Sequence, residues 1–141
     1  LDIAEKHNIK SLRIPNVPLG FTGGYSYSFG QFVGRAGLVF LATIARFKAK
    51  RREFKIPDYF FGIVAGGSLR EDCLLDITNS LKNGTTEVMV HPGDDDVLLG
   101  SECGWQHNFQ EELAAVLSEK VRKLLESKEI ELATFNDIQQ K

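Results

Sequence analysis

Between residues 27 and 52, Phe29, Phe32, Val33, Ala36, Phe40, Ile44 and Phe47 recur at spacings of three and four. That spacing gathers them on one stripe and predicts a core-packing helix. Gly30, Gly34 and Gly37 follow the same rhythm and form a small-residue face open to close approach. Lys48, Lys50, Arg51 and Arg52 end the segment, where cations suit the negative end of the helix dipole. The next apolar run, YFFGIV over 59–64, is short and bounded by Gly66-Gly67, which predicts a buried strand. Ser68 with Glu71 three residues on is a capping-box signature for a helix over 69–83. Leu74, Leu75, Ile77, Thr78 and Leu81 form its buried side, and Asn83-Gly84 ends it.

A second strand is predicted over 86–90 (TEVMV), cut off by His91-Pro92-Gly93. Phe109, Leu113, Val116 and Leu117, then Val121, Leu124 and Leu125, trace an amphipathic helix with Ser118 as a second N-cap inside it. At the front, residues 1–8 read as the last turns of a helix stopped near Asn8, and 12–14 as a strand before Pro15. ELATF over 131–135 reads as a last strand, while 15–26 and 94–108 read as long loops. Helix and strand thus alternate, as in βαβ units with a parallel sheet. The expected fold is α/β, with about four parallel strands alternating with helices, half of a (β/α) barrel.

The 141 residues suit one domain, 1–141, and the 43% hydrophobic and 26% charged fractions are those of a globular chain. A net charge of −2 supplies no field for nucleic acid. Gln31, Arg35 and Arg46 interrupt the longest apolar helix, so no membrane span is expected. Cys73 and Cys103 fit neither a disulfide framework nor a structural zinc site, which points to a reducing, cytoplasmic setting. The chain opens on LDIAEKH, already mid-helix, and we expect it to be part of a longer protein.

Ligand sites in parallel α/β sheets lie beyond the carboxyl ends of the strands. That rule selects the segments 13–15, 62–68, 91–96 and the stretch after Phe135. His91 ends an apolar strand there, either as a proton donor, since imidazole changes charge near neutrality, or as a structural cap of the strand end. Arg13 could hold a carboxylate in its fork or form a surface ion pair. Trp105 could stack on a sugar or cover apolar rim surface, and His107 beside it could touch a ligand. His7 belongs to a helix end. Asp94-Asp95-Asp96 invites a metal reading, but three adjacent carboxylates do not converge on one ion and read better as a solvated turn. Glu111 and Glu112 suit a helix start with no further role.

The run TTEVMVHPGDDD, preceded by YFFGI, a Gly-Ser turn and a helix, resembles the YdjC-like carbohydrate deacetylases. FQEELAAVLSEKVRKLLESKEIELATF is similar to that family's closing stretch, and AEKHNIKSLRIP to the helix and strand after its histidine-rich metal motif. The resemblance implies a distorted (β/α) barrel that removes acetyl groups from N-acetylated oligosaccharides such as chitooligosaccharides, with a divalent metal, Mg or Zn. It implies His91 as the general acid or its close neighbour and Arg13 as the residue orienting a catalytic Asp; beside that resemblance, Gly93, Trp105 and His107 are expected as substrate-binding positions. The early Asp-Asp motif and H-x-H are missing, and Gln110 replaces a basic residue. The metal ligands are therefore expected outside this chain, which would be a carboxyl-terminal half, inactive alone, paired with the missing half or a homo-oligomer. The rival expectation is a non-catalytic sugar-binding or assembly module. A third, which makes the 27–52 helix a peripheral membrane element, is weaker.

Overall fold

The computed structural model describes residues 1–15, 29–63 and 67–140. The aromatic-rich stretch over 16–28 and the predicted strand end at Val64 lie outside the described residues. In order, the elements are α1 (Asp2–Lys6), α2 (Phe29–Arg51), β1 (Tyr59–Phe61), α3 (Glu71–Ser80), β2 (Thr86–Val88), α4 (Asp96–Cys103), α5 (Phe109–Val116), α6 (Glu119–Ser127) and α7 (Phe135–Gln140). The fold is mixed helix and parallel strand. β1 pairs parallel with β2 in the register Tyr59–Thr86, Phe60–Glu87 and Phe61–Val88, with α3 as the crossover. The predicted strand at 12–14 is reduced to a parallel bridge between Ser11 and Lys55.

Side-chain alternation gives the pair two different faces. Phe61 and the partly buried Tyr59, Val88 and Val90 join the larger core with Leu69 of the loop before α3 and with Cys73, Leu74, Ile77, Ala115 and Val121, contributed by α3, α5 and α6. Phe60 and Glu87 occupy the other face, where the Arg13 guanidinium lies 6.0 Å from the Phe60 ring centroid. A second core joins Ala4, Ile14, Ala42, Ala49, Phe54 and Ile56.

Three helices end alike. After α1, Asn8 (φ 54) donates to Glu5 O and Ile9 to Ala4 O; after α2, Glu53 (φ 60) donates to Lys50 O and Phe54 to Ala49 O. After α6, Glu129 (φ 55) and Ile130 repeat the pattern onto Glu126 and Leu125. These are Schellman endings, in which a left-handed residue satisfies two terminal carbonyls and folds the next apolar residue back. At α1 and α2 they bring Ile9 and Phe54 round, and Phe54 packs with Ala49 in the second core. The expected helix stop near Asn8 is this turn.

Four expectations need correction. Over 37–51, where the side chains of α2 are described, the stripe is not its packing face: Phe40 and Phe47 are 66% and 61% exposed, while Ala42 and Ala49 are buried. Small side chains let α2 approach the backbone around 54–57, where Arg46 donates to Pro57 O at 2.8 Å. Ser68 is not the cap of α3: Arg70 takes that position, and Glu71 accepts instead from Ser118 and Lys120. The loop over 94–108 contains α4, capped by Asp95, which accepts from Val97 N and Leu98 N, and closed by left-handed Gly104. The 131–135 segment is no strand. Thr134 N and Oγ1 both donate to Asp137 Oδ2 at 2.7 Å, which starts α7. The break at Ser118 is as expected, its hydroxyl accepting from Lys120 N and Val121 N.

Candidate functional site

The loops leaving β1 and β2 meet the start of α5 at one rim. His91 ends the β2 extension, and its ring centroid lies 5.0 Å from that of His107 and 5.8 Å from that of Trp105, both edge-on. Trp105 and His107 are 5.1 Å apart and tilted, and Phe109 follows His107 at 5.5 Å. Edge-to-face and offset arrangements at these distances are the favoured geometries for ring pairs. Three of the predicted site residues, His91, Trp105 and His107, are therefore brought together. Trp105 is 51% exposed and the His91 side chain 23%, so the cluster is open on one side.

The backbone that carries these rings is fixed from below. Asn108 N donates to Gly67 O at 2.7 Å, and Gly93 N donates to Phe109 O at 3.1 Å. Gly67 lies directly under the His107 ring, where a side chain would collide with it. Gly93 is packed between Leu99 and Phe109, and a Cβ would stand 3.1 Å from Phe109 Cβ. Its place in the rim is set by close packing under α4 and α5.

Glu112, read from the sequence as a dipole-compensating residue, is instead 1% exposed and points into this rim. Its Oε1 accepts from Leu69 N at 3.3 Å and its Oε2 from His91 N at 2.5 Å. The same Oε2 lies 3.6 Å from His91 Nδ1. Phe109, Glu112 and Ala115 share the buried side of α5, whereas Val116 and Leu117 of the expected apolar stripe are exposed, so the sequence pattern pointed away from Glu112.

Arg13 is engaged elsewhere. Its guanidinium pairs with Glu87 at 2.5 Å, with the Glu87 side chain 11% exposed. Glu87 Oε2 is buried with no hydrogen-bond partner among the described residues. Glu87 was not singled out in the sequence, because one carboxylate in an apolar strand looks like a solvent-facing position.

No group of three or more His, Cys, Asp and Glu that could hold a metal ion exists among the described residues. Of the three aspartates, Asp95 caps α4 and Asp96 Oδ1 accepts from Gln110 N, while Asp94 gives its main-chain carbonyl to Gln110 Nε2. The segment read as a solvated turn is the start of α4, with Asp95 as its cap and Asp96 as its first residue. The donors present do not fit the divalent ion implied by the resemblance. No helix among the described residues is long and apolar enough to cross a membrane.

No curated protein and no solved structure matches the chain. Residues 1–127 match the family described as YdjC-like protein, and the chain belongs to that family.

Proposed function

We propose that this chain carries the proton-donating and sugar-facing rim of a carbohydrate deacetylase acting on N-acetylated oligosaccharides. The observation that carries the reading is His91, half-enclosed at the strand end, walled by Trp105 and His107 and backed by a buried carboxylate. An imidazole so placed can hold a proton for the amine that leaves as an acetamide is cleaved. The tilted Trp105 and His107 rings offer an apolar wall of the kind on which a pyranose stacks. Arg13, held by Glu87, stands on the opposite sheet face, where it would orient a carboxylate supplied by another segment. The helix-covered face and the Phe60–Glu87 face are what one wall of a (β/α) barrel requires, and this supports the half-barrel reading. The donors for a divalent ion would come from outside the described residues, and no step here runs through it.

The exposed Trp105 ring tilted against His107 also suits a second reading, a sugar-binding module without catalysis. Two measurements separate them. Diacetylchitobiose is titrated while following Trp105, the sole tryptophan of the chain. Acetate release is then assayed with the chain joined to whatever upstream sequence its gene encodes. The deacetylase reading expects release, and His91→Gln should lower kcat by about 10²- to 10⁴-fold with KM little changed. Wild-type kcat in that variant would remove His91 from the chemistry, and binding without any release would establish the module.

A further inference from the structure

We infer that Glu112 is a positioning residue, which holds the His91 imidazole with its Nδ1–H turned inward and ties the loops after β1 and β2 to each other. Its consequence for catalysis rests on the deacetylase reading; its consequence for the imidazole does not. A carboxylate removed from water is costly unless hydrogen bonds and a partner charge replace the lost hydration. An apolar residue at this buried helix position would avoid that cost. Glu112 is almost wholly buried, and both of its oxygens are used, one by each loop.

The imidazole follows from the same geometry. His91 Nδ1 is buried and has no hydrogen-bond partner among the described residues, and the carboxylate oxygen beside it is Glu112 Oε2 at 3.6 Å. A lone pair facing a carboxylate is repelled, whereas an N–H facing it is attracted, so the neutral ring carries its proton on Nδ1. Nε2 is then the nitrogen that exchanges protons with a ligand. In the proposed reaction the ring starts as the imidazolium, with a second proton taken onto Nε2 from solvent; that proton passes to the leaving nitrogen, which takes the electron pair of the breaking C–N bond while the acetyl carbon keeps its new bond to the oxygen of the attacking water. The ring is left neutral and still protonated on Nδ1.

The test reads the ring directly. Long-range ¹H–¹⁵N correlations of the ¹⁵N-labelled chain, taken where histidine is neutral, report which nitrogen of His91 bears hydrogen. The wild-type chain is expected in the Nδ1–H form. In Glu112→Gln the carboxylate charge that attracts the Nδ1 proton is gone, and the tautomer ratio should move toward Nε2–H by about tenfold or more. A wild-type chain in the Nε2–H form overturns the inference, even if the variant fails to fold. An unchanged ratio in a folded Glu112→Gln chain overturns it as well. A shifted tautomer with no acetate release from the wild type would sink the deacetylase reading and leave Glu112's role standing. Where release occurs, Glu112→Gln should lower kcat by about 10- to 100-fold with KM nearly unchanged.

Discussion

Replacing Gly67 by alanine probes the rim at its tightest point. Gly67 has φ +85, and a Cβ there would stand 2.7 Å from His107 Cγ and 2.9 Å from its Nε2. Comfortable carbon–carbon contact begins at about 3.5 Å, so the imidazole must retreat by roughly an ångström. Two costs add. Alanine at this φ is disfavoured by about 1 kcal/mol, and forcing a packed ring aside costs about 1–3 kcal/mol. The sum, about 2–4 kcal/mol, is below the roughly 5–15 kcal/mol by which domains are stable, so the variant still folds. For a chain of this length it should melt on the order of 10 °C lower. Gly104→Ala is the control, since Gly104 has φ +68 but nothing lies within 4 Å of its Cβ position. It should lose only the conformational share, about 1 kcal/mol. Trp105, 5.1 Å from the His107 ring, reports the displacement by its emission. Equal melting losses in the two variants, with unaltered emission in Gly67→Ala, would refute the packing of His107 over Gly67.

Two further tests address the scaffold. Ser118→Ala removes the hydroxyl that caps α6 and donates to Glu71 at 2.6 Å, and chemical denaturation should show a loss of about 1–2 kcal/mol. Ser118 first, and Lys120 second, hold the Glu71 carboxyl below its usual range, so the variant should also raise that value in an NMR titration. Asp58 is likewise held low, mainly by the Thr85 backbone N–H, then by the Thr85 hydroxyl and by Arg46. A carboxyl lowered on folding contributes stability above its unfolded value, and that contribution fades as pH falls through the folded one. Asp58→Asn should therefore cost about 1 kcal/mol at pH 7, allowing for its half-exposed side chain, and the deficit should shrink below about pH 4. A deficit that stays constant into acid would contradict the assignment.

The elements legible from sequence were those with both a period and a stop signal. The helix through Leu74 and Ile77, the break at Ser118 and the start of each paired strand all fall where the pattern puts them. α4 was hidden because it buries none of its residues, leaving only Asp95 and Gly104 to mark its ends. The strand reading of ELATF overlooked Thr134 and Asp137, whose three-residue spacing is a helix-start signature of the same kind looked for at Ser68. Ser68 itself was overruled by tertiary demands, because Leu69 is buried and its N–H is given to Glu112. Periodicity found the amphipathic character of α2 but not its orientation. A helix whose inward contacts are alanines presents its large side chains outward, and apolar counting cannot distinguish the two faces. At the site, His91, Trp105 and His107 were found by strand-end logic. Glu112 and Glu87 were not, since a carboxylate is assumed to seek water unless its partners are known.

The shared carboxylate beneath the rim also bears on how such a site could be remodelled. Because one side chain grips Leu69 with one oxygen and His91 with the other, the two loops are not interchangeable modules. A grafted loop that lacked a backbone donor at the Leu69 position would leave half of a buried anion unanswered and disturb an imidazole it never touches. Substitutions are better made at the exposed indole, which can be exchanged without unsettling that grip.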